Sequence, residues 1–243
     1  MNEPTTAHPI PCALHHVTAR GNRKAIIFTD KLDFLTWQGI VARAADRFGF
    51  VCHAFCQMPN HYHLLVETPL ANLSEAMHYI NCLYAQVFNV RHALTGHVLQ
   101  GRFHSVLLEQ EEHFMELARY IPLNPVRAGL AASAEEWLWS SYRATAGLAV
   151  APDWLDTETI RKRFHGESDV ERTSAFCDFV AAGIGGRDPL KPPALPAVNG
   201  KQDRQQAIAQ AIISGHYSPA EIAEHFQVST RTVQRIRAAE AAR

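Results

Sequence analysis

Two histidines, His61 and His63, flank a tyrosine in the stretch QMPNHYHLLVE, which spans residues 57–67. The residues that follow are mostly apolar, so we predict a strand that begins at His61. On a strand, side chains two residues apart point to the same face, with Cα atoms about 6.6 Å apart. The two imidazoles can therefore converge on one divalent ion, while Tyr62 points to the opposite face. The same pattern also fits two ordinary histidines in a hairpin.

Two cysteines on the preceding predicted strand, Cys52 and Cys56, raise the alternative of a zinc site shared with these histidines. Zinc accepts thiolate and imidazole ligands. On a regular strand, however, residues four apart are separated by roughly 13 Å, which is too far for one metal ion. We therefore expect both cysteines to be reduced core residues, and zinc binding would need a bulge or a loop there.

A second candidate element is RYIPLNPVRAGL, at the end of a predicted helix. The helical period of about 100° per residue places Tyr120 just outside the buried stripe of that helix, so we expect its hydroxyl to stay accessible. Asn124 lies one turn later and faces the same side if the helix continues. Pro122 and Pro125 predict instead that the helix stops and a short new one opens. Asn124 is then an N-cap, a metal ligand, or both.

The elements that position these residues follow the order β-α-β-β-α-β-α. Alternating and helical apolar periods predict four strands and three helices. The strands are predicted at 12–20, 50–57, 61–68 and 103–110, and the helices at 31–48, 73–94 and 111–121. Asp30 and Gly49 are predicted to bound the first helix, and Leu35 belongs to its predicted buried stripe. This order indicates an α+β fold with a ferredoxin-like antiparallel sheet and helices packed on it.

We predict four segments along the chain. They are an α+β domain, a helical extension, a linker rich in glycine and proline, and a small all-α unit, at 1–148, 149–182, 183–200 and 201–243. In the last segment Ser218, Pro219 and Glu221 form a helix start signal. Three short helices with a tight turn before the last predict a helix-turn-helix. Its outward residues, which can enter a DNA major groove, are Thr230, Arg231, Gln234 and Arg235.

The composition is that of an ordinary globular protein, with 47% hydrophobic and 19% charged residues and a net charge of −1. Because no global positive field exists, binding to nucleic acid must use local basic clusters. The N-terminus lacks the pattern of a secretory signal, and no apolar stretch approaches the ~20 residues that span a bilayer. We therefore expect a cytoplasmic protein with no membrane partner.

Several motifs together resemble one family. CQMPNHYHLLVE, QGRFHS, ARYIPLNPVRAGL and WLWSSYRA resemble, in this order, motifs of the single-tyrosine HUH transposases of bacterial insertion sequences. The opening VTARGNRKAIIF is similar to that of the REP-associated tyrosine transposases within this group. The resemblance covers roughly residues 12–145. It implies a ferredoxin-like sheet, a divalent metal ion and a tyrosine nucleophile that cuts single-stranded DNA.

Carried over residue by residue, the resemblance makes His61 and His63 the metal ligands and Tyr120 the nucleophile. Asn124 occupies the place where related enzymes use a glutamine as third ligand. Mg²⁺ or Mn²⁺ is the implied cofactor. The implied activity is a metal-dependent single-stranded DNA endonuclease and strand transferase, which acts on hairpin-forming repeats through a 5′-phosphotyrosine intermediate in the bacterial cytoplasm.

The DNA partners are predicted from local basic clusters. The basic residues that can bind phosphates are Arg20, Arg23, Lys24, Arg102 and Arg127. Asn22, in the same stretch as three of them, can touch a base edge. Their alternative is a solvated surface. We expect single-stranded or hairpin DNA as the partner, duplex DNA as a second partner of the C-terminal unit, and a monomer or homodimer.

Two other functions fit the sequence. One is a domesticated, non-cleaving DNA-binding regulator that uses the C-terminal helix-turn-helix, whose binding survives changes at the histidine pair and the tyrosine. The other is a metal hydrolase without covalent catalysis, which produces no tyrosine adduct.

Overall fold

The computed structural model describes residues 12–108, 111–186, 196, 198, 200–213 and 219–241. These residues form two compact units, which divide between Arg187 and Asp188. Most of the predicted linker and Ser218 of the predicted helix start lie outside the described residues.

The first unit contains a four-stranded sheet and six helices among its described residues. They are β1 (Ala13–Arg20), α1 (Lys31–Phe48), β2 (Val51–Met58), β3 (His61–Thr68), α2 (Leu73–Arg91), β4 (His104–Leu108), α3 (Glu111–Arg127), α4 (Tyr142–Thr145), α5 (Glu158–Arg161) and α6 (Asp169–Ala181), with a 3₁₀ turn (Asn22–Lys24) after β1. The strand order is β2-β3-β1-β4, and every neighbouring pair is antiparallel. The predicted ferredoxin-like fold class is confirmed.

Both faces of the sheet are covered. One core lies under α1 and α2 and contains Tyr62, Leu64 and Val66, and the other lies under α3 and α6 and contains Leu65. The alternation along β3 thus feeds two cores, as side chains of period two require. Asp30 caps α1 by accepting from the N–H groups of Leu32 and Asp33.

The C-terminal end of α1 lies where the sequence predicts it. Gly49 ends the helix at a φ of 69°, a left-handed conformation that glycine adopts without strain. Leu35 was predicted to be buried, but it is 44% exposed because Trp37 occupies the inward position instead.

The helix α3 runs through both of its prolines, so the predicted break before Asn124 is wrong. Pro125 has no N–H, which leaves the carbonyl of Ile121 without its usual donor. The side-chain amide of Asn124 donates to that carbonyl at 3.2 Å and to the carbonyl of Tyr120 at 3.0 Å. Asn124 is therefore an interior helix residue that replaces a missing backbone hydrogen bond, and it caps no new helix.

A bulge in β2 separates the two cysteines of the alternative zinc site. The pairing with β3 shifts between Cys52 and Ala54, with His53 as the extra residue. Cys52 consequently lies in the core under α1 and α2, and Cys56 in the core under α3 and α6. Burial raises the pKa of both thiols. Because they face opposite sides of the sheet, the two thiols cannot share a metal ion.

His53, at this bulge, is 1% exposed. Its ring nitrogens lie 3.4 Å from the carboxylates of Glu67 and Asp156. These carboxylates favour the charged imidazole, while burial and the nearby Arg163 disfavour it. Burial has a larger effect than the two carboxylates, so the pKa of His53 is lowered below its ordinary value.

The second unit is a cluster of three helices, α7 (Lys201–Ile213), α8 (Pro219–His225) and α9 (Thr230–Ala241). Ile208, Ile222 and Val233, one from each helix, pack in its core. The four residues predicted to face outward, Thr230, Arg231, Gln234 and Arg235, are exposed on α9. The assignment as a DNA-binding helix-turn-helix stays a prediction. Among the described residues, none of the helices combines the length and apolar character that crossing a membrane requires.

Candidate active site

His61 and His63 open β3, with their ring centroids 5.0 Å apart. A two-residue turn, Pro59 and Asn60, connects β2 to β3 and fixes the first ring. The side-chain oxygen of Asn60 lies 2.6 Å from Nδ1 of His61, and its amide nitrogen donates to the carbonyl of Lys24 at 3.2 Å. Because that carbonyl only accepts, the oxygen of Asn60 must face the imidazole. Nδ1 of His61 therefore carries the proton, and its Nε2 keeps a lone pair.

The second ring is held by another histidine. Nδ1 of His63 lies 2.9 Å from Nε2 of His16 on β1, and the two rings are stacked with centroids 5.2 Å apart. His16 is 1% exposed and His63 is 5% exposed. Nε2 of His63 is buried and has no hydrogen-bond partner among the described residues. A buried, unpartnered ring nitrogen is costly unless it binds something, so this atom points to a ligand.

Tyr120 on α3 lies against these histidines in the same chain. Its ring stands edge-on to His63, with centroids 5.9 Å apart, and edge-on to His16 at 6.5 Å. The guanidinium of Arg127 lies over the Tyr120 ring, 5.1 Å from its centroid. Tyr120 is 8% exposed, which is more buried than its position on the flank of the helix predicted. The two buried histidines cover a side of the ring that a helical wheel cannot show.

The donor atoms here suit a divalent cation that takes nitrogen and oxygen ligands. His61 and His63 each have Nδ1 engaged by a neighbour, so both can present Nε2. The amide nitrogen of Asn124 is used by backbone carbonyls, which leaves its oxygen as the available ligand atom. Across the described part of the chain, no group of three or more His, Cys, Asp or Glu side chains could hold a metal ion. The protein would thus supply at most two imidazoles and one amide oxygen, and leave positions for phosphate oxygens.

Burial keeps the histidines of the site neutral. Burial, and after it the charge of Arg20, lowers the pKa of His61 to about 4. Burial, followed by His104, lowers the pKa of His16 to about 4. The pKa of His63 falls well below its ordinary value, chiefly through burial and then through its histidine neighbours and Arg20. Neutral imidazole is the form that binds a metal ion.

The predicted DNA-contacting residues separate into three places. Arg20 pairs across the strands with His61, and Arg127 lies at Tyr120, so both charges are at the site. Asn22, Arg23 and Lys24 form the exposed 3₁₀ turn that follows Arg20. Arg102 lies apart and lines a cavity of about 510 Å³ between α2 and residues 96–103.

Two residues of the site were not singled out from the sequence, namely His16 and Asn60. Asn60 lies between the two predicted strands, and nothing local indicates that its side chain turns back onto His61. A signal for His16 was present: a ferredoxin-like order puts β1 beside β3, so a histidine on β1 has an even chance of sharing the face of the histidine pair. The register that brings His16 beside His63 is set by strand pairing, which the sequence alone does not give.

An antiparallel sheet of this order, with a histidine pair on β3 and a tyrosine on the helix after β4, is the arrangement that the resemblance to HUH transposases implies. Residues 10–124 match the family model described as IS200-like transposase. Over these residues the chain is similar to that family, in line with the resemblance of its motifs. No protein of curated function matches the chain in sequence.

Two solved structures resemble the chain. The first is a REP-associated tyrosine transposase bound to a REP hairpin, with 18% identity and a TM-score of 0.53 over 63% of this chain and 89% of that one. At this identity the likeness supports the fold alone. The second is tRNA(His) guanylyltransferase from Saccharomyces cerevisiae, with 9% identity and a TM-score of 0.37 over 80% of this chain and 85% of that one. That score is too low to carry an argument.

Proposed function

We propose that the chain is a metal-dependent single-stranded DNA endonuclease and strand transferase that works through a covalent phosphotyrosine. The single observation that carries this proposal is the position of Tyr120 against His63, with ring centroids 5.9 Å apart. The reaction needs at least a nucleophile and a pair of neutral imidazoles that can bind a metal ion. Here both lie on one face of one chain.

The covalent step is a transesterification at phosphorus. The phenolic oxygen of Tyr120 forms a bond to the scissile phosphorus, and the bond from phosphorus to the 3′ oxygen breaks. The DNA then ends in a free 3′-hydroxyl on one side and a 5′-phosphate esterified to Tyr120 on the other. Because the phosphodiester is exchanged and not hydrolysed, attack by another 3′-hydroxyl reverses the step and joins strands without ATP.

The metal ligands in this proposal are Nε2 of His61, Nε2 of His63 and the amide oxygen of Asn124. Mg²⁺ or Mn²⁺ bound there would act as a Lewis acid that polarises the scissile phosphate. The fixed tautomer of His61 and the neutral state of both imidazoles support this assignment. Imidazole ligands favour Mn²⁺ intrinsically, whereas Mg²⁺ binds mainly through oxygen.

The proposed substrate is a DNA hairpin with a single-stranded segment at its foot. Arg20 and Arg127 carry exposed positive charge at the site, and the 3₁₀ turn after β1 extends that charge with Arg23 and Lys24. Such guanidinium and ammonium groups hold phosphates and fix the register of the strand. The solved relative of the same fold is bound to a REP hairpin, which supports this choice. A protein that acts on chromosomal DNA works in the bacterial cytoplasm.

The test is covalent adduct formation between purified protein and a labelled hairpin-bearing single strand with Mn²⁺. We expect an adduct stable to denaturant in the wild type, none in Tyr120→Phe, and none in the wild type with EDTA. Tyr79→Phe is the matched control, because Tyr79 lies on α2 and packs against Phe48 away from the histidines. An adduct that persists in Tyr120→Phe would refute the assigned nucleophile.

A second candidate function is a DNA-binding regulator that does not cut. The exposed side chains of Thr230, Arg231, Gln234 and Arg235 on α9 favour it, because they could enter a major groove. It predicts DNA binding that survives changes at His61, His63 and Tyr120 but is lost when residues 201–243 are removed. Nicking dependent on Tyr120 would contradict it.

A further inference from the structure

We propose that His16 is a positioning residue, which sets the tautomer and orientation of His63 so that Nε2 of His63 faces the metal ion. The inference rests on the proposed metal site and adds a third histidine to it that binds no metal itself. Its partner atom, Nδ1 of His63, lies 2.9 Å from Nε2 of His16.

Strand pairing places His16 where it can do this. On β1, Thr18 lies opposite His63 and His16 lies opposite Leu65. Opposite residues of an antiparallel pair share a face, so His16 and His63 are diagonal neighbours on the face covered by α3. Their rings are nearly parallel, with an interplanar angle of 12°. Both rings are buried, so water competes little for this hydrogen bond.

The hydrogen bond permits two proton arrangements, and metal binding selects one. If His16 donates from Nε2, His63 must carry its proton on the unpartnered Nε2, which then cannot bind a cation. If His63 donates from Nδ1, its Nε2 lone pair is free and the proton of His16 sits on Nδ1. Nδ1 of His16 is buried with no hydrogen-bond partner among the described residues, so this arrangement leaves an unsatisfied donor there, which cation binding at Nε2 of His63 must outweigh.

The pair therefore parallels the Asn60–His61 pair at the neighbouring ligand. In each case, when a cation is bound, Nδ1–H of the ligand histidine donates to a neighbouring side chain, and Nε2 is left for the cation. Groups that accept from a metal-bound histidine typically change metal affinity by about 10- to 100-fold when they are removed. Of the two acceptors, only His16 is itself an imidazole and lies on another strand.

The test measures Mn²⁺ affinity without DNA, by counting free Mn²⁺ with electron paramagnetic resonance. His16→Leu fills the space but removes the acceptor, and we expect its Kd to rise about 10- to 100-fold. His16→Gln can place an amide oxygen where Nε2 stood, so we expect a Kd within about threefold of the wild type. His16→Asn is too short to reach His63 and should behave like His16→Leu. If His16→Leu does not fold, the comparison of the Gln and Asn variants decides.

The matched control is His15→Leu. His15 is a buried histidine on the same strand whose Nδ1 lies 3.2 Å from Oγ of Ser105, on the opposite face. Losing it should leave Mn²⁺ affinity unchanged, although it should lower thermal stability as any core change does. If Mn²⁺ affinity is retained in His16→Gln but lost in His16→Asn, His16 positions His63 and does not act only through packing.

The outcomes distinguish this inference from the proposed function. Equal Mn²⁺ affinity in the wild type, His16→Leu and His16→Asn would overturn the role of His16, while the adduct assay on Tyr120 would stand. A wild type that binds no Mn²⁺ would overturn both the metal site and the role of His16. A wild type that binds Mn²⁺ with these affinities but forms no DNA adduct would refute the proposed function and leave His16 as a positioning residue.

Discussion

The interior of α3 provides a prediction about stability that separates two roles of Asn124. Its amide nitrogen donates to the carbonyl of Ile121, which has lost its normal donor because residue 125 is proline. In Asn124→Ala this carbonyl becomes a buried acceptor without a partner. An unsatisfied buried polar group costs about 1–3 kcal/mol, so we expect the free energy of unfolding to fall by about 2 kcal/mol. For a unit of this size, that corresponds to a Tm lower by roughly 4–8 °C.

A double-mutant cycle tests the mechanism. In Pro125→Ala the backbone N–H at position 125 returns and can donate to Ile121. Asn124→Ala should then cost well under 1 kcal/mol in that background, which gives a coupling energy of about 1–2 kcal/mol between the two positions. The assay is urea unfolding of four proteins: the wild type, each single variant and the double variant.

An equal cost of Asn124→Ala in both backgrounds would refute the compensation. The same variants carry information about the metal, because Pro125→Ala leaves the oxygen of Asn124 in place. If Asn124 is also a ligand, Asn124→Ala should weaken Mn²⁺ binding in both backgrounds, whereas its effect on stability should appear in only one.

Three further predictions concern charge. The lowered pKa of His53 means that the unfolded chain binds more protons than the folded one below pH 6.5, so the unfolding free energy should fall as the pH drops through that value. His53→Gln should flatten this slope by up to about 1.4 kcal/mol per pH unit, and an unchanged slope would be contrary to the assignment. Arg127→Ala should slow adduct formation about tenfold, a loss typical of one charged hydrogen bond. Arg127→Lys should retain part of the rate. The Mn²⁺ affinity should stay constant in both variants. Removing Arg231 and Arg235 together should lower the salt dependence of duplex binding by about two units of slope without changing hairpin cleavage, and an unaltered slope would argue against α9 as a DNA contact.

Local sequence patterns predict the topology of the sheet and place the two histidines of β3 on the same face. The element order β-α-β-β-α-β restricts the sheet to few arrangements, and the period of two places His61 and His63 on one side and Tyr62 on the other. Asp30 and Gly49 mark the ends of α1 by their own chemistry, and the structure confirms both.

The remaining features depend on contacts distant in sequence. Pro122 and Pro125 favour a break in any isolated helix, but α3 continues because the core holds it and Asn124 supplies a donor. The bulge at His53 changes which face Cys52 occupies, and no local signal marks it. The partnership of His16 with His63 requires the register between β1 and β3. Each of these features is decided by tertiary contacts, which local sequence patterns do not specify.

Mass spectrometry of the DNA-bound protein tests the central claim most directly. Trypsin cuts after Arg119 and Arg127, and the peptide between them, YIPLNPVR, contains a single tyrosine, Tyr120. After reaction with hairpin DNA and Mn²⁺, followed by nuclease and trypsin digestion, the account predicts this peptide with a nucleotide 5′-phosphate attached to the tyrosine. A nucleotide found on a different peptide, or cleaved DNA with an unmodified YIPLNPVR peptide throughout, would contradict it.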